Sequence, residues 1–369
     1  MREVARTLPE RSRAVAELVA ERAAGMEIAC GIDADVITGM AEAGFMRHCV
    51  PTEFGGRGGG FGELLDAVAL IGAECAASAW CASLFAATTR FLEPFPQEVR
   101  HEVWATGPDA VVVASTIPCG KAAADGDGVR VSGRWPYLSA VEFADWAVLC
   151  AALEGPGGEP ELKLVAVPAA HLWVERTWQS AGMCATGSHT AVLADVAVPA
   201  SRMRDLAELF SGPVPLGAVN GLTFVAPALG AARGALRALT GRHSGRGAAG
   251  SQTGRDAALA RSAAEIDSVE LLLRRAAAVA DTGSLTAAEV ARNSRDSAFA
   301  IEVLTGAVNR MFLAAGTGGQ LAGAPLQRLW RDVNSVATHR ALQFEPAAQN
   351  YVRSLARDRA DLDSAGTRE

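Results

Sequence analysis

The sequence predicts an α+β protein with a helical N-terminal region, a middle antiparallel β region and a C-terminal four-helix bundle. Three observations predict it. Apolar residues recur at helical spacing up to about residue 105 and again from about residue 213. Between them lie five short runs rich in β-branched residues and bounded by Gly or Pro. Strand–helix alternation is missing, which disfavours a doubly wound nucleotide-binding sheet. The expected domains are 1–107, 108–208 and 209–369.

In chain order, residues 11–26 and 34–43 read as helices, followed by a glycine-rich turn, VPTEFGGRGGGFGELL. Residues 62–83 form a small, apolar helical stretch that ends near Trp80. Pro94 and Pro96 interrupt before a helix at 97–104. The expected strands are 109–116, 128–135, 146–152, 162–167 and 191–198. The bundle helices are expected at 222–239, 256–281, 286–315 and 325–356, with breaks at 243–253, 281–284 and 316–325.

Composition narrows the function classes. The chain has 369 residues, half of them hydrophobic, enough for two or three domains with a large core. A net charge of −7 without a dense Lys/Arg block argues against nucleic-acid binding. No apolar run approaches a membrane span, so no membrane association is expected. The N-terminal residues alternate charged and apolar side chains and read as an amphipathic helix, not a leader. Seven cysteines (Cys30, Cys49, Cys75, Cys81, Cys119, Cys150 and Cys184) are scattered singly, with no CxxC pair or His/Cys cluster. Neither a metal site nor a disulfide framework is expected, and a reduced cytoplasmic setting fits best. GxGxxG after a strand, Walker, HExxH and GxSxG signatures are missing, and the glycine run 55–62 reads as a flexible turn.

The segment APLQRLWRDVNSVATHRALQF (324–344) carries Arg331, Asp332 and His339 on one expected helix. Seven residues, two turns, separate Asp332 from His339, so both fall on roughly one face. Read from the segment alone, that imidazole marks either a functional face or a solvated, capped histidine.

Three patterns in order carry a resemblance: GRWPYLSAVEFADW (133–146), GMCATGSHTAVLADVAVP (182–199) and WRD-x6-H (330–339). Together they resemble the acyl-CoA dehydrogenase superfold over nearly the whole chain. Its dehydrogenases place a glutamate base just after the closing-helix RD pair, or in a minority on the first bundle helix. Here the first location holds His339 and Arg340, the motif Tyr-Glu-Gly-Thr is missing, and AVNGLTFVAPALG at the second has no acid. The histidine instead is similar to the flavin-dependent monooxygenases of this fold, the oxygenase halves of two-component systems such as the 4-hydroxyphenylacetate hydroxylases. AVNGLTFVAPALGAARGA, LTGAVNR and ALQFEPAA look like the actinorhodin-type hydroxylases of aromatic polyketide pathways.

The resemblance implies reduced FMN, with FAD as the alternative, delivered by a separate NAD(P)H:flavin reductase. Oxygen then adds at the ring C4a carbon, and a dry site keeps that hydroperoxide from decaying before it hydroxylates an aromatic, polyketide-type molecule, as in antibiotic biosynthesis. Ser139 would hold flavin N5, with Tyr137 and Leu138 lining the ring face; the plain alternatives are a turn-capping serine and a core tyrosine. His339 would ionise a phenol as general base, or hydrogen-bond the flavin or its peroxide without moving a proton. Arg331 and Asp332 are expected to be scaffold. Ser115 and Thr116, at the end of the first strand, and Thr186 and Ser188 would contact flavin, ordinary turn chemistry being the alternative. Arg242 or Arg246, with Gly318 and Gly319 of the GTGG turn, would hold phosphate, from a neighbouring subunit. Trp80 would border the substrate cavity or simply pack the core. A homotetramer is expected. The rival readings are an N-hydroxylase of an amino sugar or other amine, an acyl-thioester dehydrogenase, and a non-catalytic flavin-binding subunit.

Overall fold

A computed structural model describes residues 6–155, 158–241 and 249–366. The chain divides into two compact units, residues 1–59, 80–180 and 184–212 in the first and 60–79, 181–183 and 213–369 in the second.

The first unit contains α1 (Leu8–Ala29), α2 (Ala34–Ala43) and α5 (Gln97–Val103), together with most of α4 (Ala76–Ala87). α1 opens on a capping box between Thr7 and Glu10, and α2 ends on Gly44 in the left-handed region, where a Cβ is disfavoured. The same unit holds one seven-stranded sheet: β1 (Val112–Asp125), β2 (Gly128–Leu138), β3 (Trp146–Glu154), β4 (Pro160–Pro168), β5 (Trp173–Glu175), β6 (His189–Pro199) and β7 (Met203–Asp205). Their order is β5-β6-β2-β1-β3-β4-β7.

The expected all-antiparallel sheet needs one correction. β1 and β3 run parallel, whereas the other neighbours are antiparallel. The cause is topological. β2 and β3 flank β1, so the chain leaving β2 must cross the end of β1, and residues 139–145 make that crossing. Asp145 pins it to the start of β1, its carboxylate accepting from the Val111 N–H at 2.8 Å while its own N–H donates to the Val111 carbonyl at 2.9 Å.

Trp135 anchors the sheet core. It is fully buried, and its Nε1–H donates to the Cys150 carbonyl at 2.7 Å. Its indole lies over Gly120 and Gly133, which face each other across β1 and β2. A Cβ on Gly120 would stand 2.2 Å from the indole, and one on Gly133 would stand 2.5 Å from the Gly120 Cα. Neither is a distance real atoms tolerate.

The second unit contains α3 (Phe61–Gly72) and the C-terminal helices α6 (Leu216–Gly241), α7 (Ala249–Ala280), α8 (Ala287–Ala314), α9 (Pro325–Val336) and α10 (Phe344–Gly366). α3 and α6 touch through backbone: a Cβ on Gly230 would meet the Ala69 carbonyl at 2.3 Å, and one on Gly234 the Ala73 carbonyl at 2.1 Å. Asp281 caps α3, accepting from the Phe61 N–H at 2.6 Å and the Gly62 N–H at 3.0 Å. α8 is long and apolar enough to cross a membrane by length and composition. It nevertheless buries Asn293 and Asp296, and the Asp296 carboxylate is bonded to Arg275 and Arg295.

Two expected helices split. Residues 62–83 divide between α3 and α4, where Gly72 approaches the Pro227 carbonyl. Residues 325–356 divide between α9 and α10, so the fourth bundle helix ends at Val336. Pro346 gives the reason. A proline fits the first turn of a helix, where its missing N–H has no intrahelical acceptor, and there it stands, third in α10. The Gln343 side chain holds the break, donating to the carbonyls of Ala337 and His339, both at 3.1 Å.

Gly133→Ala should therefore cost about 1–3 kcal/mol through overpacking. Gly254→Ala, whose Cβ meets nothing within 4 Å, should be neutral or slightly stabilising. Urea midpoints of the two variants against the parent check the difference.

Candidate active site

In the first unit, β2 loses register with β6 between Trp135 and Leu138. At that point Tyr137 adopts φ 67°, a left-handed conformation that a bulky side chain rarely holds. The bulge sends Tyr137 outward, 67% exposed, and Leu138 inward, 2% exposed among the sheet core. Leu138 therefore does not offer its side chain to a ring face, as the sequence led one to expect; the bulge shifts the alternation. Trp178 stands edge-on to Tyr137 with ring centroids 6.1 Å apart. Trp178 also lines a cavity of about 430 Å³, shared with Cys30, Glu142, Arg176 and His189.

Immediately after the bulge comes Ser139, nearly buried at 9% exposure. Its Oγ accepts from the Trp80 Nε1–H at 3.0 Å and lies 2.9 Å from the Ser188 Oγ, which lies 2.7 Å from the Thr186 Oγ1. Four residues singled out separately in the sequence, from three distant segments, thus form one hydrogen-bonded chain. The loop carrying two of them is pinned, because the Ala140 N–H donates to the Thr186 carbonyl at 2.8 Å. Gly187, at φ 52°, makes the turn that brings the flanking hydroxyls together.

Ser115 and Thr116 do not end a strand. They sit within β1, half-buried, where its pairing with β3 shifts register between Ser115 and Gly120. The Ser115 Oγ accepts from the Ile117 N–H at 3.3 Å.

In the second unit, His339 does not share a helix face with Asp332. It lies beyond the end of α9, capping a short 3-10 turn, Arg340–Leu342. Its ring packs on Phe224 of α6, with centroids 3.9 Å apart. Its Nδ1 accepts from the Ala341 N–H at 3.3 Å. Burial, helped by the positive charge of Arg340, holds its pKa down at about 4. The imidazole is therefore neutral near pH 7, and with Nδ1 accepting, its proton sits on Nε2. Nε2–H is a donor, with no lone pair to take a proton from a phenol.

Asp332, 3% exposed, accepts from the Met183 N–H at 2.6 Å, and Arg331 donates to the Ala181 carbonyl at 2.5 Å. Both fasten residues 181–183 onto α9, and a Cβ on Gly182 would meet the Arg331 carbonyl at 2.4 Å. Gly318 and Gly319 lie in a 3-10 turn after α8. Arg242 and Arg246 lie outside the described residues. Among the described residues, no cluster of three or more His, Cys, Asp or Glu could hold a metal.

Sequence reasoning missed Phe224 and Trp178. Phe224 lies inside the AVNGLTFVAPALG stretch and was visible only as one more apolar residue. Its pairing with His339 needs the α9–α10 break, for which Pro346 was the available signal.

Residues 5–94 match the acyl-CoA dehydrogenase N-terminal domain model and residues 222–344 the acyl-CoA dehydrogenase C-terminal domain model. Among curated relatives, an FADH(2)-dependent resorcinol hydroxylase, oxygenase component, of Rhizobium sp. (strain MTP-10005) is 32% identical over 370 residues, covering 90% of this chain and 89% of that protein. Among solved structures, the 3-HSA hydroxylase from Rhodococcus sp. RHA1 has a TM-score of 0.88 at 25% identity, covering 95% of this chain and 96% of that one. XiaF from Streptomyces sp., in complex with FADH2 and glycerol, has a TM-score of 0.87 at 26% identity, covering 94% of each chain.

The His339 pKa fixes a linkage. Its folded value, about 4, lies below the ordinary 6.5, so on acidification the unfolded chain takes up this proton first. Stability tied to His339 is intact above pH 6.5 and is lost as pH falls through the window down to about 4. Relative to His339→Asn, the parent should lose on the order of 2 kcal/mol between pH 6.5 and 4.5, read from denaturant midpoints at each pH.

Proposed function

The chain belongs to the oxygenase components of two-component flavin-dependent monooxygenases, built on the acyl-CoA dehydrogenase fold, and from that premise we propose that it hydroxylates a phenolic, polyketide-type ring in a biosynthetic pathway. When bound, reduced flavin supplied by a separate reductase would provide two electrons for O2 activation, one oxygen atom going to the ring and the other to water. FADH2 is the form we favour over FMN, since it is named for both the Rhizobium relative and the Streptomyces structure. The polyketide assignment rests on the likeness of AVNGLTFVAPALGAARGA, LTGAVNR and ALQFEPAA to the actinorhodin-type enzymes.

The residues fit a flat conjugated ring with a polar edge. Tyr137 offers an exposed aromatic face braced by Trp178, and Ser139 beside it offers a nearly buried hydroxyl. In our reading Ser139 holds the flavin N5 edge, and Ser115 and Thr116 lie toward the ring. Gly318 and Gly319 are assigned to phosphate. His339 serves as a neutral Nε2–H donor toward reacting oxygen, and the general-base role is set aside on the ground of its Nδ1 contact. Trp80 acts through Ser139.

One observation carries hydroxylation over thioester dehydrogenation. Among the described residues the buried carboxylates are Asp296 and Asp332. Arginines hold the first and the Met183 N–H the second, while Glu345 is exposed at the start of α10. Among the described residues, then, both buried carboxylates are engaged in holding the scaffold. For assembly we keep the homotetramer, supported by exposed Phe299 and Leu313 on α8 and Val352 and Leu355 on α10.

Mixing the enzyme and FADH2 with oxygenated buffer and a simple phenol should delay the return of oxidised-flavin absorbance and give hydroxylated product. Reduction of the oxidised, flavin-loaded enzyme by an acyl thioester would overturn the reading. Ser139→Ala should lower product formed per flavin oxidised by roughly fivefold or more, the balance appearing as hydrogen peroxide.

A further inference from the structure

We propose that Trp80, Ser139, Ser188 and Thr186 form a hydroxyl relay whose direction reverses with the protonation of flavin N5, so that Ser139 can bond to that edge in both reduced and oxidised flavin. The proposal rests on the reading that Ser139 meets the flavin N5 edge, and goes beyond it by assigning positioning roles to the other three residues.

The argument is a count of protons and lone pairs. An indole N–H only donates, so Trp80 permanently occupies one lone pair of the Ser139 Oγ. Ser139 keeps one proton and one lone pair. Its neighbour Ser188, at 2.9 Å, takes one of the two, and the other is left for the N5 edge in this reading. When Ser139 donates inward to Ser188, and Ser188 to Thr186, Ser139 presents an acceptor. When the chain runs the other way, Ser139 presents a donor. Reduced flavin carries a hydrogen on N5 and requires the acceptor; oxidised flavin carries none there and requires the donor.

The setting makes the two directions exclusive. Ser139, Ser188 and Thr186 are 9%, 6% and 1% exposed, so water does not readily substitute for a missing partner. The backbone is held, because the Ala140 N–H donates to the Thr186 carbonyl and ties the two segments together. Only hydroxyl rotation remains, and three hydroxyls must turn together. The occupied lone pair on Ser139 also leaves it a weak base, able to hold an N5–H without removing it.

The test measures binding, not turnover. Oxidised FAD and, anaerobically, reduced FAD are titrated into the parent, Ser139→Ala, Ser188→Ala, Thr186→Val and Ser188→Thr. The ratio of reduced to oxidised affinity in the parent is the reference preference. Ser188→Ala and Thr186→Val should each shrink that preference by about fivefold to tenfold, the scale of one lost hydrogen bond, because the Ser139 proton is then driven outward. Ser188→Thr, which restores the hydroxyl, should return the preference to within about twofold. Equal losses for both flavin forms in Ser188→Ala and Thr186→Val would mark a packing role and overturn the relay. So would an unchanged preference in those two variants while Ser139→Ala alters it, an outcome that leaves the Ser139 assignment standing. If Ser139→Ala leaves both affinities unchanged, the flavin contact itself is wrong and the relay falls with it.

Discussion

The first unit depends on the contact of Trp135 with two facing glycines. With its indole laid over Gly120 and Gly133 and its N–H tied to the Cys150 carbonyl, this residue binds β1, β2 and β3 into one body. The bulge at Tyr137 lies two residues on, and Ser139 opens the crossing that carries the chain past β1. A side chain just past the end of a strand is usually free to sample rotamers. Here the backbone before it is clamped by packing and the backbone after it by Asp145 on β1, so the serine hydroxyl has little freedom beyond its own proton.

The two units keep buried polar groups uncharged by different physical means. In the first, the buried cluster at Ser139 is made of neutral groups, one indole and three hydroxyls. In the second, the imidazole is kept uncharged by burial against Phe224. Formal charge that is buried there, on Asp296 and Asp332, is neutralised or bonded in place and serves the scaffold. Neutral donors and acceptors stabilise developing charge without offering a ready proton donor or base that would promote side reactions.

Much of this was legible in the sequence. The three-part order, the positions of most helices and five of the strands follow from periodicity, and GRWPYLS, TGSH and WRD-x6-H hold most of the residues assigned to the candidate site. What was not legible has identifiable causes. Parallel pairing of β1 with β3 is a property of the crossing, not of either strand. Regular alternation would put Tyr137 inward with Trp135 and Leu138 outward, and the positive φ at Tyr137 exchanges the two. His339 and Asp332 look two turns apart on one helix because the intervening residues are acceptable helix formers; the break comes from Pro346 and Gln343 downstream. The hydroxyl chain was seen as separate residues, since nothing in local sequence links Trp80 to a serine 59 residues later.

The facing glycines carry an evolutionary corollary. With no side chain at either position, the space above them is defined entirely by the indole, and the three residues can be exchanged only as a set. A lineage that replaced Trp135 with something smaller would be free to refill Gly120 and Gly133, whereas a lineage that keeps the tryptophan should hold both glycines while its neighbours drift. Co-variation of this trio across homologues would therefore record a mechanical bargain within the sheet, separate from any selection on substrate.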